Sequence, residues 1–344
     1  PSKRNMAFMP GFCTGYEGVR ILVPNNRIDL TSGSLSRYFP RAELPDLSFD
    51  DVVDRASKYA RDIVEKFART TQLAVSLTAG LDSRLTLAAT KSLPTRPSCF
   101  TYVREKERIN VIDAIIAARI CQRHGFPHSS FFFNGEKPHP NQSQGVFEDF
   151  KAIIRLNAEM EHIYGLAYSY LETFPAEYLH LRSNIGETCR AYFHLPITKK
   201  ITEAEAEESE KHAALYRYMS RSTTSEFASN EFRRYISETD YEVAIRFGYD
   251  LEALHYWECR LPAWHGTLLL ESDMSHDTVS LYNCRALLIA FLSAPFDDQL
   301  SQKAMHGVIR ALWPDLLQEP INPASSYVQK HCDSLMKVGA APVY

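Results

Sequence analysis

Two polar runs contain the residues whose types and spacing best suit chemistry. The first, Thr78–Arg84, follows the apolar stretch Leu73–Leu77 and reads as a strand turning into a helix. Small and hydroxylated residues at such a turn let backbone amides approach a phosphate, and the helix dipole favours an anion there. Asp82 would repel that phosphate, so a cation between the two is expected, and Mg²⁺ suits oxygen ligands. The first run therefore predicts a nucleotide-binding turn.

The second run follows another predicted strand, Tyr178–Arg182. It combines Arg182-Ser183-Asn184 with Glu187 and Arg190, so opposite charges are concentrated on one turn between a strand and a helix. Such a cluster is either a functional site or a buried network of ion pairs, and both interpretations remain open.

The elements that must position these runs alternate along the chain. Three strands separated by helices at this spacing predict a parallel sheet with right-handed crossovers, in which ligands bind at the carboxyl ends of the strands. Both polar runs fall at such ends. Ser48 and Asp51 form a start that resembles a capping box. The predicted elements are a helix over 48–70, a strand from 73, a helix over 82–90, a strand over 98–102, a helix over 110–124 and strands over 129–133 and 178–182.

The two ends of the chain differ from this pattern. Val19–Val23 and Arg27–Leu30, separated by Pro24-Asn25-Asn26, predict a short β-hairpin that could not bury a core alone. From about residue 201 the sequence is mostly helical in pattern. The predicted fold class is therefore α/β: a parallel-sheet nucleotide-binding domain with a largely helical C-terminal half and a short N-terminal hairpin.

Composition excludes several classes of protein. The 344 residues carry a formal net charge of −4, which does not favour binding to nucleic acid. No apolar run of about 18 residues is present, so no membrane span is expected. Seven scattered cysteines without a C-x-x-C pair argue against a zinc site and for a reducing, cytoplasmic location.

Thr78–Ser83 resembles the pyrophosphate-binding loop, or PP-loop, of the asparagine synthetase and β-lactam synthetase superfamily. Other segments resemble that superfamily in the same order. The hairpin region is similar to the last strands of its glutaminase domain. The remaining matches are Phe100-Thr101-Tyr102 with Asp113 to His128, Ser183 to Phe193 with Gly186-Glu187, and Tyr282-Asn283-Cys284-Arg285 with Phe291 to Pro295.

The resemblance implies an adenine nucleotide α-hydrolase-like fold and an ATP-dependent, amide-forming synthetase. ATP and a carboxylate would give an acyl-adenylate and pyrophosphate, and an amine would then displace AMP. It also implies two regions: residues 1–45 as a hairpin remnant of an upstream glutaminase-like domain, and residues 46–344 as the synthetase domain. ATP and Mg²⁺ are the expected cofactors, and small-molecule carboxylates and amines are the expected partners.

The resemblance also assigns roles to individual residues. Asp82 is the expected magnesium ligand, while Arg190, Lys303 and His306 are expected catalytic residues. Glu258 is a further catalytic candidate, proposed from its own acid–base chemistry and not from the resemblance. The residues expected to contact ATP or its pyrophosphate are Ser76, Thr78, Ala79, Gly80, Asp82, Ser83, Arg84, Thr101, Tyr102, Gly186 and Glu187.

Several positions depart from the superfamily pattern. Ala79 replaces a loop glycine, which is tolerable if its backbone is not left-handed. Arg84 could reach a phosphate or point outward. Arg190 stands where relatives carry an acidic residue, so it either replaces a magnesium by a fixed charge or signals lost adenylation. His306 occupies the place of a catalytic lysine, and Lys303 one turn earlier could reach the same helix face.

Glu258 and the source of the amine each allow more than one interpretation. Glu258 is either an acid–base carboxylate or part of a structural Glu–Arg pair. Glutamine hydrolysis is not expected, because the chain as given begins with Pro1 and Cys13 is internal. The amine would therefore come from the substrate itself, from free ammonia or from a separate ammonia-supplying subunit.

The function itself has two competing interpretations besides the synthetase. One is a non-catalytic nucleotide-binding or scaffold protein of the same fold. The other is a PP-loop enzyme acting on a different nucleophile.

Overall fold

The fold is taken from a computed structural model of the chain. It describes residues 11–14, 16–104, 108–133, 177–191, 226–266 and 275–324, together with a few single positions between these ranges. Residues 203–211, whose many charged side chains predict the exposed start of a helix, lie outside the described residues.

A five-stranded parallel sheet forms the centre of the molecule. The strands lie in the order β5-β4-β3-β6-β7, and every neighbouring pair is parallel. The predicted α/β class is therefore confirmed, and the four predicted strands of this sheet are present. The last strand, β7, was not predicted. The strands are β3 Gln72–Ser76, β4 Ser98–Arg104, β5 His128–Phe133, β6 Tyr178–Arg182 and β7 Thr278–Ser280.

Helices account for most of the remaining regular structure. Residues 186–190 and 314–318 form 3-10 turns, and residues 256–260 and 262–266 are π-helical. The described part of the C-terminal half is largely helical, as predicted. The α-helices are α1 Phe49–Ala68, α2 Leu81–Ala89, α3 Arg108–His124, α4 Glu226–Glu238, α5 Tyr241–Arg246, α6 Leu251–His255, α7 Arg285–Leu292, α8 Phe296–Leu300 and α9 Lys303–Leu312.

Helix α1 shows how the sequence determines these elements. Its apolar positions recur at helical spacing, and Val52, Ala56 and Val64 are fully buried on one face. Its start is the predicted cap: the Asp51 amide donates to Ser48 Oγ over 3.2 Å. The cap satisfies an otherwise unpaired amide, so the helix begins at Phe49, and it packs mainly against α7 and α9.

A short N-terminal hairpin is present, as predicted, and Arg27 and Ile28 of the predicted second strand lie in β1, but Val19–Val23 is not one of its strands and the connecting turn lies elsewhere. β1 spans Asn26–Ile28 and β2 spans Leu35–Arg37, and they pair antiparallel around a turn at residues 29–34. The predicted turn at Asn25 instead leads into β1. Asp29 closes the observed turn, because its carboxylate accepts the amides of Thr31 and Ser32.

No helix in the described part of the chain has both the length and the apolar composition that crossing a membrane requires.

Candidate functional site

The order of the strands makes the carboxyl ends of β3 and β6 the expected position for a ligand. From β3 the chain continues to β4 and β5 on one side, and it later returns to form β6 and β7 on the other side. The connections after β3 and β6 therefore leave in opposite directions, which opens a crevice at the carboxyl ends of these two adjacent strands. The two polar runs of the sequence follow these same two strands.

The loop after β3 is held by its own hydroxyl groups. The Thr78 amide donates to Ser83 Oγ over 3.1 Å, and the two hydroxyl oxygens lie 3.0 Å apart. The Gly80 amide donates to Thr78 Oγ1 over 3.0 Å, and Gly80 is the N-cap of α2. Thr78, Gly80 and Ser83 thus shape the turn that delivers the first residues of α2 to the crevice.

Both backbone polar groups of Ala79 are hydrogen-bonded. Its amide donates to the Asp113 carboxylate over 2.9 Å, and its carbonyl accepts the Asn322 amide over 3.1 Å. Ala79 is not among the residues with a positive φ, so replacing glycine here is tolerable, as the sequence predicted. Sequence reasoning did not select Asp113 as a site residue. Its one signal is an acidic residue among the apolar positions of α3.

Asp82 and Arg190 form the closest contact between the two runs. Arg190 Nε lies 3.3 Å from Asp82 Oδ1, and Arg190 Nη2 lies 3.2 Å from Asp82 Oδ2. Both side chains keep limited solvent access, 21% exposed for Asp82 and 17% for Arg190. Burial raises the pKa of Asp82, while the Arg190 guanidinium opposes that rise.

The close approach of the second turn depends on Gly186. A Cβ at this position would lie 2.7 Å from Asp82 Oδ1, which no real contact allows. The preceding residue, Ile185, has a φ of 80°, a left-handed conformation that a β-branched side chain rarely adopts. Such strain persists only where the surrounding structure enforces it, and it often accompanies a functional site.

Glu187 is the third charged group of this site. Burial and the nearby Asp82 carboxylate raise its pKa to about 7, although Arg190 opposes the shift. Its Oε2 is buried and has no hydrogen-bond partner among the described residues. The site therefore places an acceptor without a donor next to a second carboxylate.

Arg84 fits neither of the two orientations that the sequence left open. Its side chain is fully buried, and Nη1 donates to the Leu316 carbonyl over 3.0 Å. It also donates to the carbonyls of Glu319, Pro320 and Ala79. Burial lowers the pKa of Arg84 to about 10, still far above neutrality. Arg84 neither points outward nor reaches for a phosphate, because its donors hold the chain around residues 316–320.

Three residues expected to contact the nucleotide lie on β3 and β4: Ser76, Thr101 and Tyr102. The structure separates Thr101 from the other two. Thr101 is a correction: it is buried, its Oγ1 donates to the Leu77 carbonyl over 2.7 Å, and its backbone faces β5. Neighbouring residues of a strand direct their backbone N–H and C=O groups to opposite sides, so those of Tyr102 face β3. Because β3 ends at Ser76, it does not continue beside Tyr102. Ser76 and Tyr102 lie near the carboxyl ends of β3 and β4, whereas the Thr101 side chain is hydrogen-bonded within the sheet.

Glu258 is a second correction. It is fully buried and is held by Arg37, with distances of 2.6 and 2.9 Å between the paired atoms. Asn25 Nδ2 and the Tyr235 hydroxyl also donate to its carboxylate, at 2.9 and 2.5 Å. With these oxygens occupied, Glu258 is a structural residue that connects the hairpin to the helical half. The structural interpretation is right, with Arg37 as the partner.

The last two expected catalytic residues have other contacts. Lys303 is 56% exposed, pairs with Asp298 at 3.1 Å and lies over the Phe49 ring. His306 is half-buried, and burial together with the charges of Arg310 and Arg84 lowers its pKa. Neither side chain is brought to Asp82 or Glu187 by any contact within the described ranges.

Sequence reasoning also missed contacts from the late helical region. The Tyr282 hydroxyl donates to the Asp82 carbonyl over 3.0 Å, and Ser183 Oγ donates to Thr86 Oγ1 over 2.9 Å. These bonds join α2 to the segments after β6 and β7. They are long-range contacts for which the local sequence holds no signal.

The residues present fit a magnesium ion that is shared with a phosphate ligand. Within the described ranges no cluster of three His, Cys, Asp or Glu side chains is arranged to hold a metal. Magnesium in nucleotide sites commonly uses one or two carboxylates and completes its shell with phosphate oxygens and water. Asp82 and the unpartnered Glu187 Oε2 would supply two such ligands if Arg190 released Asp82.

Comparisons with known proteins add no assignment, since neither a protein-family model nor a curated protein matches the chain.

Proposed function

We propose that this chain is an ATP-dependent synthetase that activates a carboxylate, releases pyrophosphate and joins the acyl group to an amine. The observation that carries the proposal is the meeting of Asp82, Glu187 and Arg190 at the crevice between β3 and β6. Two carboxylates and a guanidinium at this position suit a magnesium-bound polyphosphate. The amine comes from the substrate, from free ammonia or from a separate subunit.

The nucleotide phosphates would meet the first turn of α2. The amides of Thr78, Ala79 and Gly80 already have protein acceptors, so they shape the loop. The first amides of a helix lack partners within the helix, and its dipole favours negative charge there. The base would lie towards Ser76 and Tyr102, on the side of β4 where β3 has ended.

Asp82 and Glu187 would hold magnesium, which neutralises phosphate charge when bound. For this to happen Arg190 must turn from Asp82 towards the phosphate, where its guanidinium could stabilise charge that develops during the reaction. Glu187, with a pKa of about 7, can be ionised at neutral pH once a cation is present. On binding, Arg190 would thus leave Asp82 and pair with the phosphate, while Asp82 and Glu187 would bind magnesium.

A second candidate function is nucleotide binding without adenylation. The observation that favours it is the two-point pairing of Arg190 with Asp82, which occupies the carboxylate that magnesium needs. In this case the chain would bind a nucleotide through α2 and act as a scaffold. The two candidate functions share one fold and differ in whether bound ATP reacts to release pyrophosphate.

The proposal also includes a cellular location and a class of partner. The six cysteines within the described ranges are free thiols, which suits a reducing compartment such as the cytoplasm. The net charge of −4 does not favour a nucleic-acid substrate.

The test is pyrophosphate release by wild-type protein and Asp82→Asn with ATP, Mg²⁺ and a panel of carboxylates and amines. We expect the variant to lose at least about 100-fold in rate, since a lost charge stabilisation of this kind is worth about 3 kcal/mol. Asp54→Asn on the exposed face of α1 is the matched control and should retain the wild-type rate. Unchanged release by Asp82→Asn would refute the role of this carboxylate.

Isothermal titration with ATP and Mg²⁺ separates the two candidates. Binding accompanied by pyrophosphate release supports the synthetase, and binding without release on any carboxylate supports the scaffold. If ATP does not bind at all, both proposals are wrong.

A further inference from the structure

The segment of residues 319–322 lies against the loop after β3, although it follows the last described α-helix. The Asn322 amide donates to the Ala79 carbonyl over 3.1 Å. A Cβ at Gly80 would lie 3.6 Å from Asn322 Oδ1, so the carboxamide of Asn322 is within contact distance of the space beside this glycine. Gly80 is the N-cap of α2, whose first turn is the expected position of the phosphates. Asn322 is therefore next to the phosphate end of the candidate site.

Ion pairs and hydrogen bonds hold this segment in place. Glu319 is buried, and its carboxylate oxygens lie 3.0 Å from Arg119 Nε and 2.6 Å from Arg123 Nη2, both on α3. Arg84 on α2 donates to the carbonyls of Glu319 and Pro320. The segment is thus anchored to two helices just before it reaches Asn322.

The loop after β3 is anchored to one of the same helices. Asp113 on α3 accepts the Ala79 amide over 2.9 Å, while the Ala79 carbonyl accepts the amide of Asn322. Helix α3 therefore fixes both the loop and the segment that contacts it. A side chain that is held in position before a ligand arrives loses little conformational entropy on binding.

Asn322 combines an exposed side chain with a constrained backbone. Its φ is 41°, in the left-handed region that asparagine tolerates better than most residues. Its carboxamide makes no hydrogen bond with any residue that the structure describes, and it is open to solvent. A left-handed backbone held by its surroundings often accompanies a functional site. The carboxamide is therefore available to a ligand.

A carboxamide at this place suits a polyphosphate. Its Nδ2 carries two N–H donors, and hydrogen bonds to an ionised acceptor are stronger than those between neutral groups. The amides of Thr78, Ala79 and Gly80 already donate to protein acceptors, so they offer no free donors to a phosphate. Asn322 supplies donors beside the same turn, and it does so without adding a charge.

We propose that Asn322 is a further ligand-binding residue, which donates from its carboxamide to the nucleotide phosphates at the N-terminus of α2. The inference rests on the proposed function, because it requires the phosphates to lie at this turn. It applies equally to adenylation and to nucleotide binding without turnover. The chemical group that Asn322 recognises is a magnesium-bound polyphosphate, with or without the nucleoside attached.

Isothermal titration of Asn322→Gly with ATP and with inorganic pyrophosphate, both with Mg²⁺, tests the proposal. Glycine adopts a left-handed φ freely, so the variant keeps the backbone of position 322 and loses only the carboxamide. We expect both ligands to bind about tenfold more weakly than to wild type, since a hydrogen bond to a charged acceptor is lost. Asp240→Gly, at an exposed residue before α5 with a φ of 48°, is the matched control and should bind both ligands as wild type does.

Asn322→Asp is the second variant, and it carries the test if hydrogen exchange shows that the glycine variant loosens the segment. Aspartate keeps the shape but replaces two donors by a charge that repels phosphate, so binding should be weaker than in Asn322→Gly. This additional loss should shrink between about 0.05 M and about 0.5 M salt, because salt screens exposed charges. Gln72→Glu adds a charge at the opposite end of β3 and should bind ATP as wild type does.

Three outcomes would overturn the inference. These are wild-type affinity of both Asn322 variants, a loss confined to ATP that spares pyrophosphate, and equal losses in the two variants that do not respond to salt. If wild-type protein binds neither ligand, the inference and the proposed function are both wrong. Binding that depends on Asn322 without pyrophosphate release would support the inference and refute the synthetase.

Discussion

At the scale of single residues, the site depends on which partner Asp82 has. In the structure the partner is Arg190, and the Glu187 carboxylate nearby is left with a buried oxygen that has no donor within the described ranges. When Glu187 is protonated the three groups sum to zero charge, and when it is ionised they sum to −1. The protonation of one carboxyl group therefore sets the charge that a ligand meets.

This arrangement predicts how stability depends on pH. The pKa of Glu187 is about 7 in the folded protein against 4.5 ordinarily, so between these values the folded state keeps a proton that the unfolded chain has released. The free energy of unfolding should fall as pH rises through this window and reach its full loss above about pH 7. Glu187→Gln cannot ionise and should not show this decline.

The measurement is thermal unfolding of both proteins from about pH 4 to about pH 8, a range that spans the shift. We expect the melting temperature of Glu187→Gln, relative to wild type, to increase over the range. A difference that stays constant with pH would mean that the pKa of Glu187 is not raised.

At the scale of elements, the sequence predicts the strands and helices whose apolar spacing and caps are local. The strands and helices from α1 to β6 were predicted within a few residues, because apolar periodicity and caps such as Ser48 act over one or two turns. β7 was missed because three residues carry too little pattern. Asn25 does form a turn, with a φ of 64°, but this turn precedes β1 and does not connect the paired strands. Its side-chain amide donates to Glu258, 233 positions away, a contact for which the local sequence holds no signal.

The partner of Glu258 could not be predicted for the same reason. Its neighbours along the chain suggested a Glu–Arg pair on one helix, while the actual partner lies on β2. Likewise, Asp82 and its turn were predicted from local chemistry, but the burial of Arg84 depends on carbonyls more than 200 positions further along the chain. Local sequence identifies the loop, and tertiary contacts decide which of its side chains face a ligand.

The Glu258 network predicts a large loss of stability on truncation. Glu258→Ala would leave Arg37 buried without its carboxylate, and breaking a buried pair in this way typically lowers the free energy of unfolding by about 3–5 kcal/mol. Urea denaturation measures the change. Asp54→Ala, on an exposed position of α1, is the control and should cause a much smaller loss.

A double variant keeps this prediction specific. Arg37→Met with Glu258→Met replaces the pair by apolar side chains and should recover part of the loss, because no charge is left unpaired. If Glu258→Ala is as stable as the Asp54→Ala control, the pair does not hold the hairpin to the helical half.

At the scale of the whole molecule, Arg84 connects distant parts of the chain. Arg84 lies on α2 beside the candidate site. Its guanidinium donates to carbonyls of the segment 316–320 and to the Ala79 carbonyl. The Asn322 amide also donates to the Ala79 carbonyl. The position of the loop after β3 is therefore set partly by a segment that follows the last described helix.

Arg84→Met should test this connection. The apolar side chain preserves bulk but leaves several buried carbonyls without donors, at about 1–3 kcal/mol each in free energy of unfolding. Urea denaturation should show the loss, and hydrogen exchange should show faster exchange of the Asn322 amide than in wild type. Arg96→Met is the control, since Arg96 is exposed and donates to the single Gly125 carbonyl.

Faster exchange at Asn322 would show that the loss of Arg84 loosens the segment around residues 316–322. Wild-type stability and exchange in Arg84→Met would mean that the segment is held without the guanidinium.

The contact between Gly186 and Asp82 also constrains how this protein can change over evolutionary time. With the Asp82 carboxylate in its present position, even a methyl group at position 186 would lie 2.7 Å from Asp82 Oδ1. A side chain at position 186 therefore requires the carboxylate to shift or to be replaced, so glycine should persist there for as long as the site depends on this position of Asp82. Among descendants of this sequence, a non-glycine residue at 186 would mark a lineage in which the carboxylate had already moved or been lost.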